Sequence, residues 1–387
     1  MEQWTPTARE LADLELVSIG AWPSDLSFDV AVPDELAEGE VELLDPEGLP
    51  LAAVDLARGT VEIRGEIAHG PFRHLHLRPS EVRGAHPHAF AIPVRDALTE
   101  DDAVAILDHA RTSGKRPVVV VLTGPGMSLR MSAPALVRAT RSAVRDIGAA
   151  VVIAAAAAAR DDAEHTARFA TQVAAAYADD VLIPTGRGEP SVEVRAILEH
   201  DRPPLDRGGL VVFFTGLSGS GKSTLARALH DVLLEAGDRT VSTLDGDVVR
   251  HHLSKGLGFS EEDRETNIAR IGWVAAEIAR HHGVAICSPI APFEATRALA
   301  RTMVQDAGGA FALVHVATPL SECERRDRKG LYAKARVGQI PEFTGISSPY
   351  EVPPDALVTV DTTGRTIAET LDEVLVALRG AGLIADA

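Results

Sequence analysis

The stretch that decides the fold is LVVFFTGLSGSGKS, residues 210–223. Its first six residues are an apolar, β-rich run, and residues 224–236 after it are a helical segment that ends at Gly237. The loop between fits G-x-x-x-x-G-K-[ST] in the strand, loop and helix context that this pattern requires. Its glycines let backbone N–H groups surround phosphate oxygens at the N-terminus of the helix. The sequence therefore predicts a nucleoside triphosphate site in an α/β domain.

Two side chains of this loop are expected to act on the nucleotide directly. Lys222 would reach the β and γ phosphates, and the Ser223 hydroxyl would bind Mg²⁺. A glycine-rich turn without function is the alternative, but the strand, Lys, Ser and helix together disfavour it. The predicted ATP-binding set is Gly216, Ser218, Gly219, Ser220, Gly221, Lys222, Ser223 and Thr224.

Two acids follow the next predicted strand, residues 240–244. Asp245 at the carboxyl end of that strand can hold the magnesium shell beside Ser223, and Asp247 can face an incoming hydroxyl group. A solvated acidic turn is the alternative for these residues taken alone. Their position about 25 residues after the phosphate loop favours the catalytic interpretation.

Arginine and phenylalanine side chains recur downstream of the acids. Arginines bind phosphate or sulfate oxygens bidentately, and Phe rings offer faces on which a purine can stack. Taken singly, such residues are more often surface ion pairs or core. The candidates, with their neighbours in the same segments, are Arg250, Phe259, Arg264, Asn267, Arg270, Ile290, Lys329 and Phe343.

The composition excludes several classes of protein. The chain has 387 residues, 38 Lys plus Arg and 56 Asp plus Glu, which give a formal net charge of −18. That sign disfavours a protein whose main work is binding nucleic acid or anionic lipid. With 45% hydrophobic but 4% aromatic residues, the core must consist of Ala, Val, Leu and Ile. We expect a soluble globular protein of two or three domains.

The lack of a recognisable signal peptide in residues 1–15 and the small number of cysteines predict a cytoplasmic protein. Cys287 and Cys323 are too few for a disulfide framework or a four-ligand zinc site. Residues 1–15 lack the apolar core of a signal peptide, and the longest apolar run, residues 147–159, is shorter than a membrane span.

The texture of the chain predicts its domain organisation. Short β-branched runs punctuated by Gly, Pro and Asp predict a small β-rich domain over residues 1–97. Helical segments alternating with buried strands predict a short α/β domain over residues 98–200. The polar, Pro-containing segment 201–209 predicts a linker, and residues 210–387 form the P-loop domain, a parallel sheet flanked by helices.

Taken together, TGLSGSGKST, STLDGDVVRHHL, LGFSEEDRETNIARIG, RRDRKGLYAKAR and FTGISSPYEVP closely resemble adenylylsulfate kinase (APS kinase), in that order, over residues 209–387. In that family ATP phosphorylates the 3′-hydroxyl of adenosine 5′-phosphosulfate (APS). The resemblance implies a P-loop kinase that uses Mg²⁺ and belongs to sulfate assimilation. It also implies that Asp247 orients or deprotonates the hydroxyl, with Asp245 on the magnesium side.

The resemblance further implies roles for the downstream candidates. Arg250, Arg264 and Asn267 would contact the phosphosulfate and ribose, and Phe259 and Phe343 would sandwich the substrate adenine. Ile290 would line the pocket, and Lys329 would lie in a lid over both nucleotides. Three positions depart from the family pattern, namely Val248, Ala291 and Arg328. Since Ala291 stands where a second Ser is usual, phosphoenzyme chemistry there is impossible, whereas direct transfer does not need it.

The N-terminal part resembles ATP sulfurylase (sulfate adenylyltransferase) more weakly. Residues 10–16 (ELADLEL) look like the opening of that enzyme, and residues 191–195 (SVEVR) with Pro203 and Pro204 look like the end of its catalytic domain. The family's Q-T-R-N-P and G-R-D-H-A-G blocks are missing from the sequence. The resemblance therefore implies a degenerate, shortened module without adenylyltransferase activity.

Several alternatives stay open. The chain could be a P-loop kinase of another small hydroxylated substrate, or a nucleotide sensor without turnover for a sulfurylase-like domain. We expect a homo-oligomer, and the N-terminal part could associate with a separate ATP sulfurylase. A histidine group could suggest a metal site, but Pro71, Pro79 and Pro87 break the segment into loops and favour none; its members are His69, His74, His76, His86 and His88.

Overall fold

The computed structural model describes residues 2–26, 28, 30–32, 39–45, 47–65, 67, 70–128, 130–147, 150–258, 260–327 and 329–385, and of Asp247 only the backbone. Of the sequence candidates, His69, Phe259, Arg328 and the Asp247 side chain lie outside the described residues. The chain divides into two units, Met1–Arg202 and Pro203–Ala387. No helix among the described residues is both long and apolar enough to cross a bilayer.

Unit 1 begins with a sheet in the order β1-β2-β3-β4, in which β1 and β2 are parallel and the other pairs antiparallel. In β2 the side chains of Val41 and Leu43 are buried and alternate with Glu40 and Glu42. This alternation places one face of the sheet on a core. The elements of this part are β1 (Glu2–Trp4), α1 (Ala8–Ile19), β2 (Glu40–Leu44), β3 (Pro50–Asp55) and β4 (Thr60–Ile63).

A second sheet of unit 1 is wholly parallel, in the order β7-β6-β5-β8. Its central strands are buried along almost their whole length, because helices cover both faces. Its elements are α2 (Pro79–Ala85), β5 (Ala89–Val94), α3 (Glu100–Ser113), β6 (Arg116–Leu122), α4 (Ala133–Ala143), β7 (Val151–Ala155), α5 (Ala163–Ala175), β8 (Asp180–Val181) and α6 (Val192–Asp201).

An ion pair lies inside unit 1. Arg160 donates two hydrogen bonds to Asp13, at 2.7 and 2.8 Å, and its guanidinium carbon lies 3.5 Å from the ring centroid of Phe169 and 5.3 Å from that of Trp22. Burial raises the pKa of Asp13, against the opposing effect of Arg160. The pair joins α1 to the segment before α5, so it stabilises unit 1 only while both partners are present.

Unit 2 is built on a parallel sheet in the order β10-β11-β9-β12-β13. Its elements are β9 (Leu210–Thr215), α7 (Lys222–Ala236), β10 (Val241–Leu244), α8 (Gly246–His252), α9 (Glu261–Arg280), β11 (Val284–Cys287), α10 (Glu294–Asp306), β12 (Ala310–Val316), α11 (Leu320–Arg326), α12 (Leu331–Arg336), β13 (Val358–Val360) and α13 (Ile367–Gly380).

Alternate residues of the central strand β9 face opposite layers of unit 2. Val212 and Phe214 pack in one core cluster with residues of α7 and α13, whereas Val211 and Phe213 pack in another with residues of α9. In the sheet β9 lies between β11 and β12, and the chain passes from β11 on one side of β9 to β12 on the other. Between such strands the carboxyl ends open a crevice, which is where ligands bind in open parallel sheets.

The predicted α/β class is confirmed, with differences in detail. The strand predicted at residues 210–215 is β9 itself, and α7 begins at Lys222 instead of Thr224. The helix α1 was not predicted; Thr7 and Glu10 form a capping box at its start. The domain boundary at residue 97 stays a prediction, and β5 on its N-terminal side pairs with β6 on the other.

Candidate active site

The phosphate-binding loop joins β9 to α7 through three glycines in the left-handed region. Gly216, Gly219 and Gly221 have φ values of 146°, 77° and 106°. A Cβ atom on Gly216 would lie 2.4 Å from the carbonyl oxygen of Val316, so no other residue fits there. The loop ends at the N-terminus of α7, where a helix favours a bound anion.

Side chains from three later segments hold the carbonyl groups of this loop. The hydroxyls of Thr318 and Thr362 each donate to the Ser220 carbonyl at 2.9 Å, and the Tyr332 hydroxyl donates to the Ser218 carbonyl at 2.8 Å. Arg326 donates to Thr362 at 2.7 Å and more weakly, at 3.4 Å, to the Gly219 carbonyl.

These contacts orient the amide groups of the loop. In a planar trans peptide the C=O and N–H bonds point in opposite directions. A carbonyl that is bound from outside therefore turns the next N–H towards the interior of the loop. The sequence predictions did not include Thr318, Thr362, Arg326 or Tyr332 as site residues, although the RRDRKGLY segment contains two of them.

Lys222 is buried, with 7% of its surface exposed, at the first turn of α7. Its ammonium group donates to the Leu217 carbonyl at 2.7 Å, across the loop. Burial lowers the pKa of Lys222 to about 8, and the charge of Lys329 acts in the same direction. The charge of Asp245 opposes this shift, and a phosphate in the loop would add further counter-charge beside the buried ammonium.

The first of the two predicted acids lies at the carboxyl edge of the sheet. Asp245 follows β10 directly, and Ser288 follows the neighbouring strand β11. The Ser288 hydroxyl donates to Oδ2 of Asp245 at 3.0 Å, which fixes the orientation of the carboxylate. Asp247 lies two residues further, in the first turn of α8.

The helix α9 carries two of the predicted substrate residues on one face. Arg264 donates to the hydroxyl of Thr344 at 3.0 Å and to that of Ser348 at 3.3 Å, and its guanidinium carbon lies 5.5 Å from the Phe293 ring centroid. Asn267 is 4% exposed, and its Oδ1 has no hydrogen-bond partner among the described residues. A buried amide oxygen without a partner is ready to accept from a ligand.

Of the other predicted residues, Arg250 lies in α8, whereas Lys329, Phe343 and Ile290 lie in loops. Arg250 donates to the Gly258 carbonyl at 2.8 Å, and Lys329 is exposed between α11 and α12. Phe343 packs edge-on against Tyr332, with ring centroids 5.0 Å apart. The Ile290 carbonyl accepts from the Thr215 hydroxyl at 2.7 Å and from the Gly216 N–H at 3.4 Å, so this loop is tied to the phosphate loop.

The loop after β11, which carries Ile290 and Ala291, is also held by a buried arginine. Ala291 is 1% exposed and has a φ of 43°, in the left-handed region. Its carbonyl accepts from Arg297, which is fully buried, at 2.8 Å. Arg297 also pairs with Glu294 at 2.7 Å. The position that departs from the family pattern is therefore a buried methyl group in a fixed turn.

The predicted magnesium ligands fit that ion by their chemistry. Ser223 offers a hydroxyl in the first turn of α7, where its side chain is exposed, and Asp245 offers a carboxylate at the edge of the same sheet. Oxygen donors of this kind are the ligands that Mg²⁺ prefers, usually beside water and substrate phosphates.

One histidine of the segment that was considered as a metal site contacts an acid of α1. His74 lies in a short 3-10 turn, Arg73–Leu75, and His76 pairs with Glu15. Within the described residues, no group of three or more His, Cys, Asp or Glu side chains is placed to hold a metal ion.

The C-terminal part of the chain is similar in sequence to known proteins. Residues 208–361 match the family model described as adenylylsulphate kinase. Two proteins named sulfate adenylyltransferase, from Neosartorya fischeri and Aspergillus fumigatus, are each 50% identical over 190 residues, which are 49% of this chain and 33% of those proteins. The chain thus spans about a third of the length of the curated relatives it matches.

A solved structure resembles the chain from end to end. It is described as the hexameric APS kinase from Thiobacillus denitrificans, and it is 25% identical with a TM-score of 0.74. The match covers 100% of this chain and 94% of that one. The likeness in fold therefore extends over both units of this chain.

Proposed function

We propose that the chain transfers the γ-phosphoryl group of ATP to the 3′-hydroxyl of APS, because residues 208–361 match the family model described as adenylylsulphate kinase. The bond from the γ-phosphorus to the β,γ-bridging oxygen breaks, and a bond to the 3′-oxygen forms. The hydroxyl proton leaves, and the products are ADP and 3′-phosphoadenosine 5′-phosphosulfate.

The observation that carries this proposal is the buried Lys222 beneath a glycine loop whose carbonyls are held outwards. Phosphoryl transfer depends mainly on positioning and on stabilising charge. Lys222 and the loop N–H groups would bind the β and γ phosphates, and Ser223 and Asp245 would hold Mg²⁺. When bound, the ion would neutralise charge on the transferring phosphoryl group. Ser288 would keep Asp245 in the required orientation.

Substrate recognition is assigned to the groups around α9. Arg264 and Arg250 would contact the phosphosulfate, and Asn267 would accept from the ribose or the purine. Phe343, with Phe259, would stack on the adenine. Lys329 would approach the phosphates when the segment around it closes, since its charge already acts on Lys222. A closed segment excludes water, which would otherwise hydrolyse ATP.

We assign to Asp247 the acceptance of the hydroxyl proton. Asp247→Ala should lower turnover roughly 100-fold or more, because general bases contribute that much, while ATP affinity stays within about twofold. Isothermal calorimetry with an ATP analogue and a coupled ADP assay measure both quantities. Asp231→Ala, at an exposed acid of α7, is the matched control. If the Asp247 variant turns over as fast as the wild type, Asp247 is not the group that accepts the hydroxyl proton.

Unit 1 is proposed to have no adenylyltransferase activity. The absence of the Q-T-R-N-P and G-R-D-H-A-G blocks from the sequence supports this. The full-length chain is assayed with ATP, Mg²⁺ and APS, and separately with ATP, sulfate and pyrophosphatase. Turnover in the first assay only, lost in Lys222→Ala, is expected. Turnover in the second only would reverse the proposal, and turnover in neither would favour the nucleotide sensor.

We also propose that the chain forms a homo-oligomer, because a relative that matches along the whole chain is described as hexameric. Light scattering of the purified protein tests this, and a monomer at micromolar concentration would contradict it. Association with a separate sulfurylase stays a prediction.

A further inference from the structure

A cavity of about 410 Å³ in unit 1 is lined by three arginines. They are Arg138, Arg141 and Arg145, and Ser142 and Ile197 complete the lining. The spacing of three and four residues puts the arginines on one face of α4 and its continuation. We call this the α4 arginine cavity. It lies in unit 1, whereas the proposed kinase site lies in unit 2.

The helix beneath the cavity is held firmly. Its opposite face is formed by Leu136, Val137 and Thr140, each exposed by 1% or less. At its N-terminus the Ser132 N–H donates to Asp201, the last residue of α6, at 2.7 Å, and the Ser132 hydroxyl contacts the same carboxylate. The arginines therefore extend from a fixed element into a space bounded by α6.

Within the described residues, no carboxylate forms an ion pair with any of these guanidinium groups. Their one side-chain contact is from Arg145 to the Ser142 hydroxyl at 3.5 Å. The pKa of Glu193 in α6 is lowered mainly by hydrogen bonds from its own N–H and from Ser191. The charge of Arg145 lowers that pKa less. Several other arginines of unit 1 form ion pairs, for example Arg83 with Asp179 at 2.7 Å.

Three adjacent cations without an ion-pair partner in the described part of the chain repel each other, and in a chain of net charge −18 they are not a consequence of overall composition. The helix dipole favours cations in and just beyond the last turn of α4, which accounts for Arg141 and for Arg145 two residues past the helix, but not for Arg138, nearer the middle. A ligand of opposite charge explains all three positions.

We propose that the α4 arginine cavity binds a small anion with two or more phosphate or sulfate groups. Each guanidinium can bind an oxyanion bidentately, and three of them exceed what one such group needs. The volume fits a molecule of nucleotide size. A concave site with one apolar side chain, Ile197, favours a small ligand over an extended nucleic acid, which the net charge would repel.

The test measures the binding of inorganic triphosphate to the full-length chain by calorimetry. Since triphosphate also fits the phosphate loop, Lys222→Ala is the background in which the second site is measured. The triple variant R138Q/R141Q/R145Q should weaken saturable binding at least tenfold. The control R58Q/R111Q/R130Q removes the same charge at arginines whose side chains are 80%, 71% and 81% exposed, and should stay within twofold.

Further arms define the ligand class and separate this site from the proposed function. Orthophosphate and sulfate should bind at least tenfold more weakly than triphosphate, and adenosine 3′,5′-bisphosphate tells a nucleotide ligand from an inorganic one. With Lys222 intact, the cavity triple should keep wild-type kinase turnover, and unchanged hydrogen-exchange protection in β5 and β6 shows that unit 1 of the variant still folds. No saturable binding in Lys222→Ala, equal losses in both triples, or a preference for an acidic peptide over triphosphate would overturn the proposal.

Discussion

The surroundings of Lys222 and its expected phosphate partner have opposite effects on its pKa. Burial lowers its pKa to about 8, so in the empty protein a large share of these lysines is expected to be uncharged near pH 8. Bound phosphates favour the charged form and raise the pKa again. Nucleotide binding should therefore take up a proton, and affinity should fall as the pH rises above 8.

This proton uptake is measurable. At pH 8 we expect ATP binding to take up about half a proton at Lys222. Calorimetric titrations in two buffers of different ionisation enthalpy give the number directly. Lys222→Arg is the control, because a guanidinium stays charged at this pH and should remove the uptake. Equal uptake in both proteins would place the titrating group elsewhere.

At the scale of elements, the phosphate loop depends on segments that follow it far along the chain. Thr362, after β13, is 142 residues from Ser220, and Tyr332, in α12, is 114 residues from Ser218. The segment that carries Lys329 lies between Arg326 and Tyr332, and both of these contact the loop. The order of the loop is thus coupled to the segment that is proposed to close over it.

Thr362→Val tests this coupling with almost no change in side-chain volume. The variant loses the hydrogen bond to the Ser220 carbonyl and the one accepted from Arg326. At about 1 kcal/mol for each of the two bonds, the KM for ATP should rise about thirtyfold, with the overall fold unchanged by circular dichroism. Thr363→Val is the neighbouring control, because that hydroxyl donates only to Asp361 in the described structure. A KM rise common to both would contradict the role given to Thr362.

The sequence predicted those elements whose signals are local. The apolar run of β9 and the glycine that ends α7 are contiguous patterns, and both elements lie where they were expected. The helix α1 was missed, although its capping box is a local signal, because the surrounding residues indicated strands. Thr318 and Thr362 could not be found, since a lone threonine has no motif and its partner lies about a hundred residues away.

At the scale of the whole molecule, the two units have separate cores. The clusters around Leu16 and Phe90 contain only residues of unit 1, and those around Phe214 and Phe213 only residues of unit 2. The ion pair of Asp13 and Arg160 belongs to unit 1. Damage to one core should therefore leave the other intact.

Arg160→Met tests this separation. The variant leaves Asp13 buried without its partner, and such a loss costs about 3–5 kcal/mol. Hydrogen exchange of the full chain, resolved by segment, should show lower protection in β5 and β6 and unchanged protection in α7. Arg168→Met, at an exposed position of α5, should change neither. Equal loss of protection in α7 would show that the units unfold together.

The positions of the three tryptophans determine which unit an unfolding experiment reports when it is followed by intrinsic fluorescence. Trp4 and Trp22 lie in unit 1, and Trp22 packs edge-on against Phe28 and Phe169 at 5.8 and 5.6 Å. Trp273, in α9 of unit 2, is already 61% exposed. Its emission should shift little when unit 2 unfolds, because water surrounds it beforehand. A melting curve followed by intrinsic fluorescence would therefore report unit 1 and overlook the half of the chain that carries the proposed chemistry.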